Sequence, residues 1–280
     1  MKSIWDTINC LNNEKLSFME LGIRNRTALV CAASSGIGRA IARSLVSEGV
    51  RIAICSRDKK NLRTTQEALE AESGSEIVSV VADLSVKSDI DRLVETVQAQ
   101  LGSIEILVNN VGGPAPGGLM ELSEEQWYEG LQLSLMSVVR LTKAVLPRMK
   151  EQKWGRIVAI ASNTAKEPRE ELLLSSTIRA SVAAFNKAIS AKVLSDNILI
   201  HTVSPGPIAT ERVLQLTKDV AVTKNITFEE AQQYLVDELP MGRMGKPEEV
   251  ADLVTYLVSQ RSSFMAGNFI SIDGGQLKGW

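Results

Sequence analysis

Two patterns of apolar residues alternate along this chain. Short runs rich in β-branched residues recur at Thr27 to Ala33, Arg51 to Arg57, Ile77 to Asp83, Ile104 to Asn110, Arg156 to Ser162, Ile198 to Ser204 and Asn268 to Asp273. None shows the strict polar alternation of a half-wet strand, so each is predicted to be a strand buried on both faces. Between them, at Leu62 to Glu72, Ile90 to Leu101, Glu124 to Lys150 and Ile178 to Leu194, apolar residues recur at helical spacing, and another helix starts near Pro247. This alternation predicts an α/β fold: one domain with a doubly wound parallel sheet between two helical layers, α/β/α. Ligands of such sheets bind outside the carboxyl ends of the strands, which here carry Ser34, Arg57, Asp83, Asn110, Ser162 and Pro205.

The first strand runs straight into an amphipathic helix through TALVCAASSGIGRAIARSLV, residues 27 to 46. Ile37, Ile41 and Leu45 form the helix's core face, and Arg39 and Arg43 fall on its outer side. Ser34, Ser35, Gly36 and Gly38 keep the turn free of bulk. A pyrophosphate can therefore approach the backbone N–H groups at the positive end of the helix dipole.

Two segments break the rhythm. Residues 1–20 read as an N-terminal extension to a domain covering 21–280; Met19 followed by ELGIRNRTALV makes a natural start, so a mis-assigned start codon also accounts for residues 1–18. The other is an insertion at about 211–239, whose helical patches suggest a lid over the crevice or, alternatively, a packing or oligomer helix.

Composition narrows the function classes. A chain of 280 residues, 44% apolar, has enough material for a large core. Its net charge of −2 comes without a basic stripe, which speaks against nucleic acid or a membrane surface as partner and for a small ligand. Cys10, Cys31 and Cys55 have no metal-ligand spacing and form no even disulfide set, so no metal site is expected and the compartment reads as cytoplasmic. No apolar run is long enough to span a membrane, and the first twenty residues do not read as a signal peptide.

These features resemble the short-chain dehydrogenase/reductase family, in particular its 3-oxoacyl-[acyl-carrier-protein] reductase-like members, from about Leu21 onward. The family's TGxxxGIG turn appears as Cys31-Ala32-Ala33-Ser34-Ser35-Gly36-Ile37-Gly38. Its NNAG appears as Asn109-Asn110-Val111-Gly112, its PGxxxT as Pro205-Gly206-Pro207-Ile208-Ala209-Thr210, and Ile272-Asp273-Gly274-Gly275 matches near the end. The resemblance implies a Rossmann-type fold and a nicotinamide dinucleotide. It places Ala32, Ser34, Ser35, Gly36, Ile37 and Gly38 at the cofactor, Asp83 and Leu84 beside the adenine, Asn110 near the ribose, and Ile208 and Thr210 against the nicotinamide. At the end of the second strand an arginine can pair with a 2′-phosphate, so Arg57 favours NADP over NAD; Asp58 taking the acidic role for NAD is the counter-reading. Homodimers or homotetramers are implied as well, and the stripe Leu131, Leu135, Val138 and Val139 suits such a contact or the sheet.

The family's catalytic Asn, Ser, Tyr and Lys are mostly replaced. Alignment puts Ser162 at the serine, Ser175 at the tyrosine, Arg179 at the lysine and Ser134 at the asparagine, so the YxxxK pair is missing. A tyrosine, with a pKa of about 10 that a cation can lower, is a workable acid, whereas a serine is far weaker. Arg179 stays charged and would serve as an electrophile or anion holder rather than a proton shuttle. Lys166 and Glu167, in the loop after Ser162, are candidates for a displaced acid or base, against the plainer reading of surface charge. His201 sits in an apolar run and reads as core; a hydrolase built on it and Ser34 would lack the chain order of a nucleophile elbow. Trp127, Trp154 and Trp280 read as packing residues. The expected function is NADP-dependent reduction of a ketone or 3-oxoacyl group, free or as an acyl thioester, or the reverse oxidation. The alternative is an inactive dinucleotide-binding sensor or partner subunit.

Overall fold

The computed structural model describes residues 19–279; the readings placed on residues 1–18, including Cys10, and on Trp280 lie outside it. Seven strands, β1 (Thr27–Val30), β2 (Arg51–Ser56), β3 (Val78–Val81), β4 (Ile106–Asn109), β5 (Gly155–Ile160), β6 (Ile198–Pro205) and β7 (Phe269–Ile272), form one sheet in the order 3-2-1-4-5-6-7. Every neighbouring pair is parallel. Between them run α1 (Gly36–Ser47), α2 (Lys59–Ser73), α3 (Lys87–Leu101), α4 (Glu124–Leu131), α5 (Ser137–Gln152), α6 (Leu173–Val193), α7 (Glu211–Lys224), α8 (Phe228–Asp237) and α9 (Pro247–Leu257).

Each face of the sheet carries its own core. Ile41 and Leu45 of α1, Leu62 and Leu69 of α2 and Val250 and Val254 of α9 pack on one face with Val30, Ile54 and Val108. Leu93 and Val97 of α3 and Leu141 and Val145 of α5 cover the other with Leu29, Leu107 and Ile157. Burial on both sides explains why β1, β4, β5 and β6 read as unbroken apolar runs; the edge strands depart from that expectation, β7 being half-buried throughout and β3 exposing Val81. The strand order reverses direction between β1 and β4, which leaves a crevice above their carboxyl ends.

Most element boundaries shift by one to five residues from the sequence reading, and two differences have a local cause. β1 ends at Val30 because Ala32 turns out of the sheet at φ 45°. The stretch expected as one helix from Glu124 to Lys150 is α4 and α5 joined by a π-helical turn at Gln132–Met136. The run is helical without a break, and the π-helical turn is an insertion within it. The insertion forms α7 and α8.

Candidate functional site

Ala32, Ser34, Ser35, Gly36 and Ile37 line one wall of the crevice, and Asn110, Val111, Gly112 and Gly113 line the other. Ser35 precedes α1 in an extended conformation, its side chain makes no capping bond, and the first turn holds no acidic residue. The N–H groups there remain free donors at an uncompensated positive end. Gly38 stands behind them. A Cβ on it would lie 2.3 Å from the Ala32 carbonyl oxygen and 2.8 Å from Asn110 Nδ2, so only glycine fits. Asn110 Nδ2 donates to the carbonyls of Cys31 (3.2 Å) and Ala32 (3.3 Å), tying the end of β4 to the first turn.

At the end of β2, the hydroxyls of Ser34 and Ser56 are 2.8 Å apart, and the Arg57 side chain, largely exposed, reaches over the crevice 3.8 Å from Asp83. Asp58 does not compete for this place. Its carboxylate accepts from the Asn61 backbone N–H (3.0 Å) and side-chain amide (2.8 Å), capping α2. Leu84 lines the crevice, and Asp83 lines an adjoining hollow with Arg57, Gly113 and Tyr128.

Of the four residues aligned with the family's catalytic set, Ser162 and Ser175 meet at Thr164, whereas Ser134 and Arg179 make no hydrogen bond to them. Ser162 Oγ accepts from the Thr164 hydroxyl (3.0 Å) and backbone N–H (3.3 Å) and lies 3.2 Å from Asn163 Oδ1; Ser175 Oγ stands 3.4 Å from Thr164 Oγ1. Three hydroxyls thus form a chain from α6 to the end of β5. Ser134 is buried within the π-helical turn, and its hydroxyl has no partner.

Arg179 requires a correction. Instead of reaching into the crevice as an electrophile, it lies 5% exposed beneath it and donates to the carbonyls of Ile160 (2.9 Å), Val111 (3.1 Å) and Gly112 (3.4 Å). Burial, and secondarily Arg212, lowers its pKa to about 10, which leaves it charged at neutral pH. The carbonyls are what make the buried charge tolerable.

Lys166 lies 5.2 Å over the Phe269 ring, and Glu167 accepts from the backbone N–H groups of Lys278 (2.6 Å) and Gly279 (3.1 Å). Neither is engaged with the hydroxyl chain. Both ring nitrogens of buried His201 lack partners; burial first and nearby Arg156 second depress its pKa to about 4, so the ring is neutral. Trp154 is buried with Arg26 and Arg156 over its ring, at 4.1 and 4.6 Å from the centroid.

Ile208 is buried against Gly245, where a Cβ would come within 2.6 Å of its Cδ1. Thr210 packs on Gly36 and caps α7, its hydroxyl accepting from the Val213 N–H at 3.4 Å. Two residues on, Arg212 crosses to the opposite wall and donates to the carbonyls of Gly113 (3.2 Å) and Pro114 (3.3 Å). The segment 210–212 is thus a strap across the crevice. Sequence reasoning missed Arg212 and Thr164; the only signal was the proximity of Arg212 to the matched PGxxxT motif. Among the described residues, no group of three or more His, Cys, Asp or Glu is placed to hold a metal ion, and no helix is long and apolar enough to cross a membrane.

Comparison with known proteins places this geometry. A family profile described as enoyl-(acyl carrier protein) reductase matches residues 31–276. The NADPH-dependent reductase BacG of Bacillus subtilis is 31% identical over 254 residues, covering 90% of this chain and 98% of the relative. The 3-oxoacyl-[acyl-carrier-protein] reductase FabG of Aquifex aeolicus is 30% identical over 257 residues, covering 92% and 99%. The crystal structure of L-sorbose reductase from Gluconobacter frateurii, complexed with NADPH and L-sorbose, superposes with a TM-score of 0.89 at 30% identity, over 94% of this chain and all of that one (100%).

Proposed function

Since the chain belongs to the short-chain dehydrogenase/reductase family of NAD(P)-dependent oxidoreductases, we propose that it uses NADPH to reduce a ketone or 3-oxoacyl group, with hydroxyls in place of the family's tyrosine. The observation that carries this reading is the crevice above β1 and β4, with free N–H donors at the start of α1 and Arg57 at the end of β2. That donor set fits a dinucleotide bearing a 2′-phosphate: the α1 N–H groups for the pyrophosphate, Arg57 with Ser34 and Ser56 for the 2′-phosphate, and Ile208 and Thr210 at the nicotinamide end. NADPH, when bound, supplies the hydride. Relatives that use NADPH support the same cofactor.

The remaining chemistry belongs to the protein. A carbonyl being reduced gathers negative charge on oxygen, and Ser162 is the residue proposed to donate a hydrogen bond to it. Thr164, donating to Ser162, polarises that hydroxyl, and Ser175 extends the chain. A serine is too weak an acid to surrender its proton readily, so the rate rests on orientation and electrostatic stabilisation, with water completing the proton transfer. Arg179 supports this arrangement from below by holding the ends of β4 and β5. α7 and α8 are proposed as the lid, anchored by the Arg212 strap, and the active form as a homo-oligomer.

The test is titration of purified protein with NADPH and NADH by fluorescence, then addition of ketones, aldehydes and 3-oxoacyl thioesters. Saturable NADPH binding with substrate-dependent oxidation is expected. Binding without turnover overturns the reductase reading, and absence of binding overturns the cofactor assignment. A second reading, a dinucleotide-binding protein without catalysis, is favoured by one observation: the only cation at the expected lysine position is committed to backbone carbonyls. Under it, Ser175→Tyr together with Arg179→Lys creates activity where the native protein has none.

A further inference from the structure

The Ser162 hydroxyl belongs to a longer polar chain whose far end carries a charge. Ser162 Oγ faces Asn163 Oδ1; Asn163 Nδ2 donates to Gln276 Oε1; Gln276 Nε2 donates to Glu238 Oε2 at 3.4 Å; and Arg169 pairs with the same Glu238 oxygen at 2.9 Å. Gln276, in the C-terminal segment, is 9% exposed, so its amide has little access to water as an alternative partner. Glu238 follows α8, and Arg169 lies in the loop after β5. Three distant parts of the chain therefore meet at the candidate serine.

The direction of these bonds follows from chemistry. An amide can be turned either way, but an ionised carboxylate only accepts. Glu238 therefore draws the NH₂ of Gln276 toward itself, which turns Gln276 Oε1 toward Asn163. Asn163 must then present its NH₂ to Gln276 and its oxygen to Ser162. Ser162 is left to donate along this line while it accepts from Thr164. Were the amides reversed, Ser162 would meet an NH₂ and direct its own proton toward Thr164, presenting a lone pair where a carbonyl needs a donor.

We infer that Glu238, acting through Gln276 and Asn163, is a remote positioning residue that keeps Ser162 a hydrogen-bond donor toward a substrate carbonyl oxygen. An arriving carbonyl replaces Asn163 Oδ1 as acceptor, and the Thr164 bond persists and strengthens the donor. No proton travels along the amides; they transmit orientation alone. The role rests on the carbonyl-reductase reading above.

The test compares Glu238→Gln, which removes the charge but keeps the size, with Gln276→Met, which breaks the chain. Both are expected to lose about tenfold in kcat, the scale of one well-placed hydrogen bond, with KM for NADPH and Tm near native. In a Ser162→Ala background, Glu238→Gln is expected to change nothing further. Native kcat in both variants, or an equal further loss without Ser162, overturns the inference. Should the native protein reduce no carbonyl, the earlier reading fails on its own, and side-chain amide NMR still decides the orientation. Slow exchange of the Asn163 and Gln276 NH₂ protons, lost in Glu238→Gln, is the expected result; identical spectra overturn it.

Discussion

Replacing Arg179 by methionine separates its structural role from a catalytic one. The side chain fits the same space, yet three carbonyls lose their donor: Ile160, Val111 and Gly112. Charge-assisted hydrogen bonds contribute about 1.5–3 kcal/mol each, so the three together supply roughly 5–9 kcal/mol. Against this stands the burial of the charge. The fall in pKa from 12.5 to about 10 corresponds to about 3 kcal/mol at ~1.4 kcal/mol per unit. The difference leaves Arg179 stabilising by about 2–6 kcal/mol, and the long bond to Gly112, 3.4 Å on the crevice wall, favours the lower part of that range. Arg179→Met is therefore expected to destabilise by about 3 kcal/mol and to lower Tm by roughly 10 °C. Urea unfolding followed by circular dichroism, with thermal melts, measures both. A variant within 0.5 kcal/mol of native that has lost turnover would refute the clamp and return Arg179 to the ligand.

Ala32 holds φ 45°, a conformation that disfavours any side chain, so Ala32→Gly is expected to gain about 1 kcal/mol and a few degrees in Tm; an unchanged melt contradicts the strain. His201 has a pKa of about 4 in the folded chain against 6.5 when free, so between these values the unfolded chain takes up a proton that the folded one refuses. Stability should therefore fall by about 3 kcal/mol as pH drops from about 6.5 to 4, and His201→Val should flatten that slope in denaturant titrations across the window. Removing Arg57 takes a charged partner from the 2′-phosphate: Arg57→Ala is expected to weaken NADPH binding about tenfold to a hundredfold and leave NADH unchanged, read by fluorescence titration. Equal losses for both cofactors would place Arg57 elsewhere.

The parallel sheet was legible because burial on both faces leaves a mark in the central strands, although β3 and β7 at the edges are less buried, and the tight turn into α1 was legible because a backbone pressed against a helix end demands small residues. Gly38 is the clearest case, with Ala32 and Asn110 occupying the space of any side chain. The chemistry was less legible. Alignment brought Ser134, Ser162, Ser175 and Arg179 into one list, but neighbours 67–68 residues away turned Arg179 from the ligand to the backbone. Lys166 and Glu167 looked available only because their partners, Phe269 and the chain near Gly279, come from the other end of the sequence.

By itself, then, the sequence determined what depends on local periodicity and on the size of residues where chain segments press together: alternating strands and helices, the tight glycine turn into α1 and the arginine at the end of β2. Tertiary structure alone decided which charges are spent on the protein and which remain for a ligand. It sent Arg179 to three carbonyls, Arg212 across the crevice, and Glu238 through Gln276 toward Ser162. The reason is physical. A hydrogen-bonding group's role depends on the partners that folding brings within about 3 Å, and those partners are drawn from the whole chain.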